Sequence, residues 1–166
     1  MIQESGGMMD IIKFNEADTR EIVHLFYDTV HTVNAKDYMK PQLDAWAPFE
    51  ELENKVISWS KRLNDNITYT AKMDNKIVGF GDLSKNGLLD RLYVHKNFQG
   101  KGIASALLRS LELEATALNL KEIRTFASIT AKPFFESHEY TSIRINHIVR
   151  NGTILTNYVM NKKMRA

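Results

Sequence analysis

Leu88-Leu89-Asp90-Arg91-Leu92-Tyr93-Val94-His95-Lys96-Asn97-Phe98-Gln99-Gly100-Lys101-Gly102-Ile103-Ala104 decides how this chain is read. Its first half, Leu88 to His95, alternates as a strand does. Its second half opens a helix running to Leu120, with Ile103, Ala106, Leu107, Leu111, Leu113 and Leu118 as the buried side. A strand that turns through a short loop into a long helix aims backbone N–H groups and the positive end of the helix dipole at one point. Such a point holds anions. Gly100 and Gly102 keep side chains out of the way there. Between Arg91 and Leu111 stand four basic residues (Arg91, Lys96, Lys101, Arg109) and no acid, although the whole chain carries only +2. The ligand expected at this turn is therefore phosphorylated. Taken alone, the two glycines also fit a flexible helix cap. A dinucleotide turn would want a third glycine where Ser105 stands and a βαβ setting, and a triphosphate loop would want a Gly-Lys-Ser/Thr that is missing.

Outward from this stretch the hydrophobic period assigns the remaining elements. Met8 to Phe14 reads as a strand, and Asn15 caps a helix carrying Ile22, Leu25, Phe26, Val30 and Val33 on one face. Residues 34–48 look irregular, and Glu50 to Leu63 is a second helix with Leu52, Val56, Trp59 and Leu63 as its stripe. Ile67 to Met73, Ile77 to Leu83 and Leu88 to His95 form an antiparallel meander, with Asn86-Gly87 expected in a type I′ turn. After the long helix come a strand at Ile123 to Ala127, a short helix at Ala131 to His138, and a hairpin from Ile143 to Val149 and Thr153 to Met160 around Asn151-Gly152. The order β-α-α-β-β-β-α-β-α-β-β predicts an α/β (α+β) fold. Its sheet is mixed, mostly antiparallel, of about six to seven strands, flanked by about four helices. One domain over 8–160 is expected, with 1–7 as an N-terminal extension.

Composition narrows the function classes. Hydrophobic residues are 43% and charged residues 25% of the chain, which excludes a disordered one. No apolar run reaches the ~20 residues of a membrane span, and no signal segment opens the chain, so no membrane partner is expected. Cysteine is absent, which removes disulfides, thiolate metal sites and a cysteine nucleophile, and fits a cytoplasmic location. A net charge of +2 does not suggest a nucleic-acid partner. His24 and His31 lie seven apart, not the three or four of a helical metal pair, and His138 and His147 have no evident partner, so no metal is expected.

Gln99-Gly100-Lys101-Gly102-Ile103-Ala104, following Leu92-Tyr93-Val94, resembles the Gln/Arg-x-x-Gly-x-Gly/Ala signature of the GNAT acetyltransferase superfamily. Ser128-x-x-Ala131-x-x-Phe134-Phe135-Glu136-x-x-Glu139-Tyr140 resembles that family's Asn-x-x-Ala-x-x-Phe-Tyr-Glu-x-x-Gly-Phe block, and the likeness spans Met8 to Met160. The resemblance implies the GNAT fold, with acetyl-coenzyme A as co-substrate. Its pyrophosphate would rest on Gly100 to Ala104 with Gln99, and its pantetheine arm would pair with Leu92, Tyr93 and Val94. Ser128 and Phe135 would lie beside that arm. It also implies acetyl transfer to the amine of a small-molecule or peptide acceptor, with the Val94 N–H as oxyanion donor. A homodimer is compatible with it. Within the superfamily the chain looks like an uncharacterised bacterial subgroup.

Three departures stand out. Phe135 replaces the Tyr that can protonate a departing thiolate, Ser128 replaces Asn, and Glu139 replaces a turn glycine. An alternative function is therefore a catalytically weak acetyl-coenzyme A sensor. Asp82 and Asp90 could relay a proton through water, or be strand-end acids on the solvent face. Asp90 is the base candidate, and Ser128 a second catalytic one. Tyr38 and Trp46, aromatics in the segment between two helices, are acceptor candidates together with His31; Trp46 reads equally as a plug of the core.

Overall fold

The computed structural model describes residues 8–165, so the expected extension 1–7 lies outside the described residues. β1 (Met9–Lys13) leads into α1 (Thr19–Thr32), α2 (Lys40–Trp46) and α3 (Leu52–Asp65). The meander of β2 (Ile67–Met73), β3 (Lys76–Leu83) and β4 (Leu88–Val94) follows. Then come α4 (Ile103–Ala117), β5 (Glu122–Ser128), α5 (Lys132–Ser137) and the hairpin of β6 (Thr141–Arg150) with β7 (Thr153–Lys163). One seven-stranded sheet results, in the order β1-β2-β3-β4-β5-β7-β6. Among the described strands only the β4–β5 pair is parallel.

Asn15 accepts from the Ala17 N–H at 2.9 Å, capping a short 3-10 turn (Glu16–Asp18) that runs into α1. Ile22, Phe26 and Val30 of α1 and Trp59 and Leu63 of α3 pack with Phe80 into one core cluster. On the opposite side, Leu108 and Leu111 of α4 join Leu83, Leu89, Ile123 and Phe135 in a second. Burying each such side chain is worth about 1.5–3 kcal/mol. Close approach of α4 to the sheet requires Gly79, because a Cβ there would stand 2.9 Å from Ile103 Cγ2 and 3.0 Å from Leu107 Cδ1.

Four expectations need correction. Residues 34–48 are not irregular: Lys40–Trp46 is helical, with Pro41 in its first turn and Gln42 Oε1 accepting the Met39 N–H at 2.8 Å. The helix start is hard to read in the sequence because Met39, at the cap position, has no side-chain oxygen. Leu113 and Leu118 are exposed (66% and 46%). Leu113 lies well around the helix from Leu107 and Leu111, and Leu118 follows the last helical residue. The Asn86-Gly87 turn is not type I′, since Gly87 but not Asn86 has positive φ. Two positive φ values in succession occur instead at Asp74-Asn75 and, as the hairpin reading wants, at Asn151-Gly152. Asp82 is not on a solvent face; it is fully buried.

What positions the site is a break in the sheet. β4 and β5 pair at Leu88↔Arg124 and Leu89↔Thr125 only, whereas β5 stays paired to β7 from Glu122 to Ser128. β4 meanwhile stays on β3 as far as Val94↔Gly79. Beyond Leu89 the two strands therefore part.

Candidate active site

The gap between β4 and β5 opens into two cavities that share Leu92, Tyr93, Ser128, Ala131 and Phe135. The first, about 440 Å³, runs from this junction to the start of α4. Of the cofactor candidates, Val94, Gln99, Gly100, Gly102, Ile103 and Ala104 line it beside the shared residues, while Lys101 is exposed outside its wall. The second, about 330 Å³, lies among β4, β5, β6, β7 and α2 and takes in Asp90, Tyr38 and Trp46.

Strand register says which backbone groups face the gap. The His95 N–H donates to Val78 O at 2.8 Å, so in an antiparallel ladder the pairs Val94↔Gly79 and Leu92↔Gly81 turn their N–H and C=O groups outward. The Val94 carbonyl agrees, accepting from Thr29 Oγ1 at 3.0 Å and Gln99 Nε2 at 2.7 Å on that side. The Val94 N–H and the Leu92 backbone are thus available to an extended ligand. Tyr93 is a correction: its backbone belongs to the ladder with Phe80, and only its side chain faces the cavities.

The loop into α4 is held from behind. Gln99 ties back to Val94, and the His95 Nδ1 accepts the Asn97 N–H at 3.0 Å. Gly100 and Gly102 sit at φ +73° and +82°, a region L side chains avoid, and a Cβ on either would meet no heavy atom within 4 Å. The first helical bond is Ala106 N–H to Gly102 O, at 3.1 Å. The N–H groups of Ile103, Ala104 and Ser105 are left without helical partners, aimed at the open space.

Ser128 Oγ accepts the Ala131 N–H at 3.0 Å, which leaves its own proton to donate. Phe135 is 4% exposed and packs edge-on against Phe134 and Tyr140. Tyr140 is no substitute acid. Its hydroxyl donates to Glu112 at 2.8 Å outside both cavities, and burial with the Glu112 charge pushes its pKa far up. Glu139 takes the glycine-like φ of +71°, and the Tyr140 N–H still reaches Phe135 O at 3.0 Å. The missing glycine therefore strains this turn by about 1–2 kcal/mol without abolishing it.

In the second cavity Asp90 is the only acid lining the wall among the described residues. It is half-buried, 3.3 Å from Arg62 and 3.4 Å from Arg91. Arg91 lies 4.7 Å over the Trp59 ring and reaches Asp82 at 2.7 Å. Burial pushes the Asp82 carboxyl up, opposed by Arg91 and by the Asn66 amide. Asp82 faces the pair behind the wall, not a cavity. Tyr38 contributes its ring, edge-on to Trp46 at 5.2 Å. Its hydroxyl is occupied, donating to Thr156 O at 2.6 Å and accepting the Ile129 N–H at 2.9 Å, so it pins the end of β5 to β7. His31 reaches neither cavity: it meets the Ala47 carbonyl at 2.8 Å and stacks on Phe49, holding α1 to the segment after α2.

Sequence reasoning missed Thr29 and Asn34 on the first cavity and Arg91, Asn146, Arg150 and Asn157 on the second. Only the β6 residues left a trace, since Asn146, Ile148 and Arg150 share one strand face by their spacing of two. Among the described residues no group of three His, Asp or Glu is placed to hold a metal ion, and no helix is long and apolar enough to cross a membrane.

Residues 34–162 match the family model described as an acetyltransferase (GNAT) domain. The chain is 27% identical to the uncharacterised N-acetyltransferase YafP of Escherichia coli K12 over 93% of its own length and 96% of that protein. A GCN5-related N-acetyltransferase of Rhodopseudomonas palustris has the same fold (TM-score 0.88, 25% identity, 97% of this chain and 99% of that one). So does the PaiA N-acetyltransferase of Thermoplasma acidophilum in complex with coenzyme A (TM-score 0.71, 19% identity, 95% and 99%).

Proposed function

This chain belongs to the GNAT acetyltransferase family, and from that premise we propose that it moves the acetyl group of acetyl-coenzyme A directly to an amine held in the second cavity. One observation carries the reading: the two cavities meet at the exposed edge of β4 and share its Leu92 and Tyr93. The first cavity suits the co-substrate. Its α4 end offers free N–H groups and a positive helix terminus to the pyrophosphate, beside glycines with open space in front of them. Its β4 edge offers the Leu92 N–H and C=O to the pantetheine amides, as a sheet edge offers itself to a peptide, and keeps the Val94 N–H for the thioester end. That the PaiA protein, of the same fold, is found in complex with coenzyme A supports coenzyme A as the ligand.

At the junction the amine nitrogen bonds to the thioester carbonyl carbon, and the Val94 N–H stabilises the oxyanion that forms. Collapse breaks the C–S bond and releases the thiolate. Asp90 receives the proton lost by the amine through water, and the thiolate takes one from solvent. A thiol of pKa ~8.5 leaves without an acid, so Phe135 is compatible with turnover. Ser128 steadies the arm with its free hydroxyl proton.

Thiol release from acetyl-coenzyme A across a panel of amines tests this. Asp90→Asn should lower kcat about 100-fold, the scale of a lost general base, with coenzyme A affinity unchanged by calorimetry. An unchanged kcat would remove Asp90 from the reaction. Tight coenzyme A binding with no release on any amine would replace transfer by sensing.

A further inference from the structure

The charges around the second cavity do not cancel where a substrate would lie. Asp90 is shared by Arg62 and Arg91, and Arg91 is shared again with buried Asp82. Arg150, at the end of β6, lines the same cavity and makes no ion pair among the described residues. Lys55 stands near it: burial first, and then Arg150 and Arg91, hold its ammonium pKa down against the pull of Glu51. Four residues before Arg150 on the same face of β6, the Asn146 amide donates to Asn157 Oδ1 at 2.9 Å, which leaves the Asn157 Nδ2 protons free on the wall of the same cavity. The remaining wall includes Tyr38, Trp46 and Tyr93.

Resting on the acetyl-transfer reading, we propose that the acceptor is a small amine that carries a carboxylate, an amino acid or a close relative, with Arg150 binding the carboxylate. A planar two-oxygen anion matches the fork of a guanidinium, and the Asn157 amide offers a neutral donor to another part of the acceptor, further along the wall. A cavity of about 330 Å³ holds a body of that size. A simple polyamine would bring only further positive charge to Arg150 and Lys55.

The test is a panel of the common amino acids, each assayed beside its carboxamide and its decarboxylated amine, with phosphoethanolamine as the phosphate counterpart. At least one amino acid should exceed its carboxamide about tenfold in kcat/KM, the size of one charge-assisted bond near the surface. Arg150→Gln should pull that ratio toward one while leaving the melting temperature and coenzyme A affinity near those of wild type. Retention of the preference in Arg150→Gln, or equal use of amino acids and their amides, overturns the inference and leaves acetyl transfer standing. So does selective acetylation of phosphoethanolamine, in favour of a phosphate. Failure of every amine, with coenzyme A still bound, overturns both.

Discussion

The two cavities meet at a common wall yet are built by opposite means. The first draws its anion and amide contacts from main chain: free N–H groups at the start of α4, the outward edge of β4, and two glycines at positive φ. The second is made of side chains from α2, β4, β5, β6 and β7, among them Trp46, Asp90, Arg150 and Asn157. A backbone site can be kept with few sequence requirements, because any residue supplies an N–H and only the glycines are demanding. A side-chain site changes its ligand whenever one residue changes. On the proposed reading, the fixed chemistry of the co-substrate falls to the first, and the choice of acceptor to the second.

The sharpest way to break that contrast is Gly102→Val. With φ at +82° a β-branched residue is strained, and its side chain would project into the space left for the phosphates rather than against any neighbour. Coenzyme A affinity should fall about 100-fold or more, equivalent to ~2.7 kcal/mol, by calorimetry on a variant whose circular dichroism is that of wild type. Unchanged affinity in a folded variant would show that the pyrophosphate does not use this loop.

The same contrast explains what could be read in the sequence. Residues 92–105 are contiguous, their spacing is set by a strand, a turn and a helix, and each element has its own pattern. The strand period, the paired glycines and the acid-free stretch all point to one anion site. The wall of the second cavity joins Trp46, Asp90 and Arg150, which no periodicity connects. Tyr38 shows the limit from the other side: an aromatic in an apparent loop did line the cavity, but its hydroxyl is spent on Thr156 and Ile129. His31 looked equally available, and is committed to Ala47 and Phe49. The course of 34–48 was hidden because α2 starts on a methionine and a backbone-bonded glutamine instead of a Ser, Asp or Asn.

Phe135 stands on the wall common to both cavities, and Phe135→Tyr asks whether that wall takes part in chemistry. If the thiolate leaves unaided, restoring the phenol should change kcat by less than about tenfold at neutral pH, whereas a rate-limiting acid is worth ~100-fold or more. Tyr140 cannot already be supplying the proton, given its bond to Glu112. A large gain in turnover would mean that the wall is a lost catalytic surface, and would move the sensor reading ahead.

The smallest expected effect concerns the one titratable side chain that does a backbone's task in the first cavity's loop. His95 Nδ1 accepts the Asn97 N–H two residues on, the geometry an Asn or Asp side chain gives in an Asx turn. Burial, together with Lys76 and Lys96 and against Asp28 and Glu21, holds the imidazole below its ordinary range. A protonated Nδ1 has no lone pair for Asn97, so the fold prefers the neutral ring. Below the ordinary value of ~6.5 the unfolded chain binds the extra proton more readily than the folded one. This contribution is therefore complete above that pH and is lost as pH falls through the lowered folded value. His95→Asn keeps the acceptor and removes the titration. Between pH 7.5 and pH 5, ligand-free wild type should lose about one to two degrees more of its melting temperature than His95→Asn, a fraction of a kcal/mol for a chain of this size. The ligand-free state is the one to melt, because an imidazolium near bound phosphates would attract them and mask the loss. Equal pH slopes in the two proteins would show that main-chain bonds hold the loop without His95.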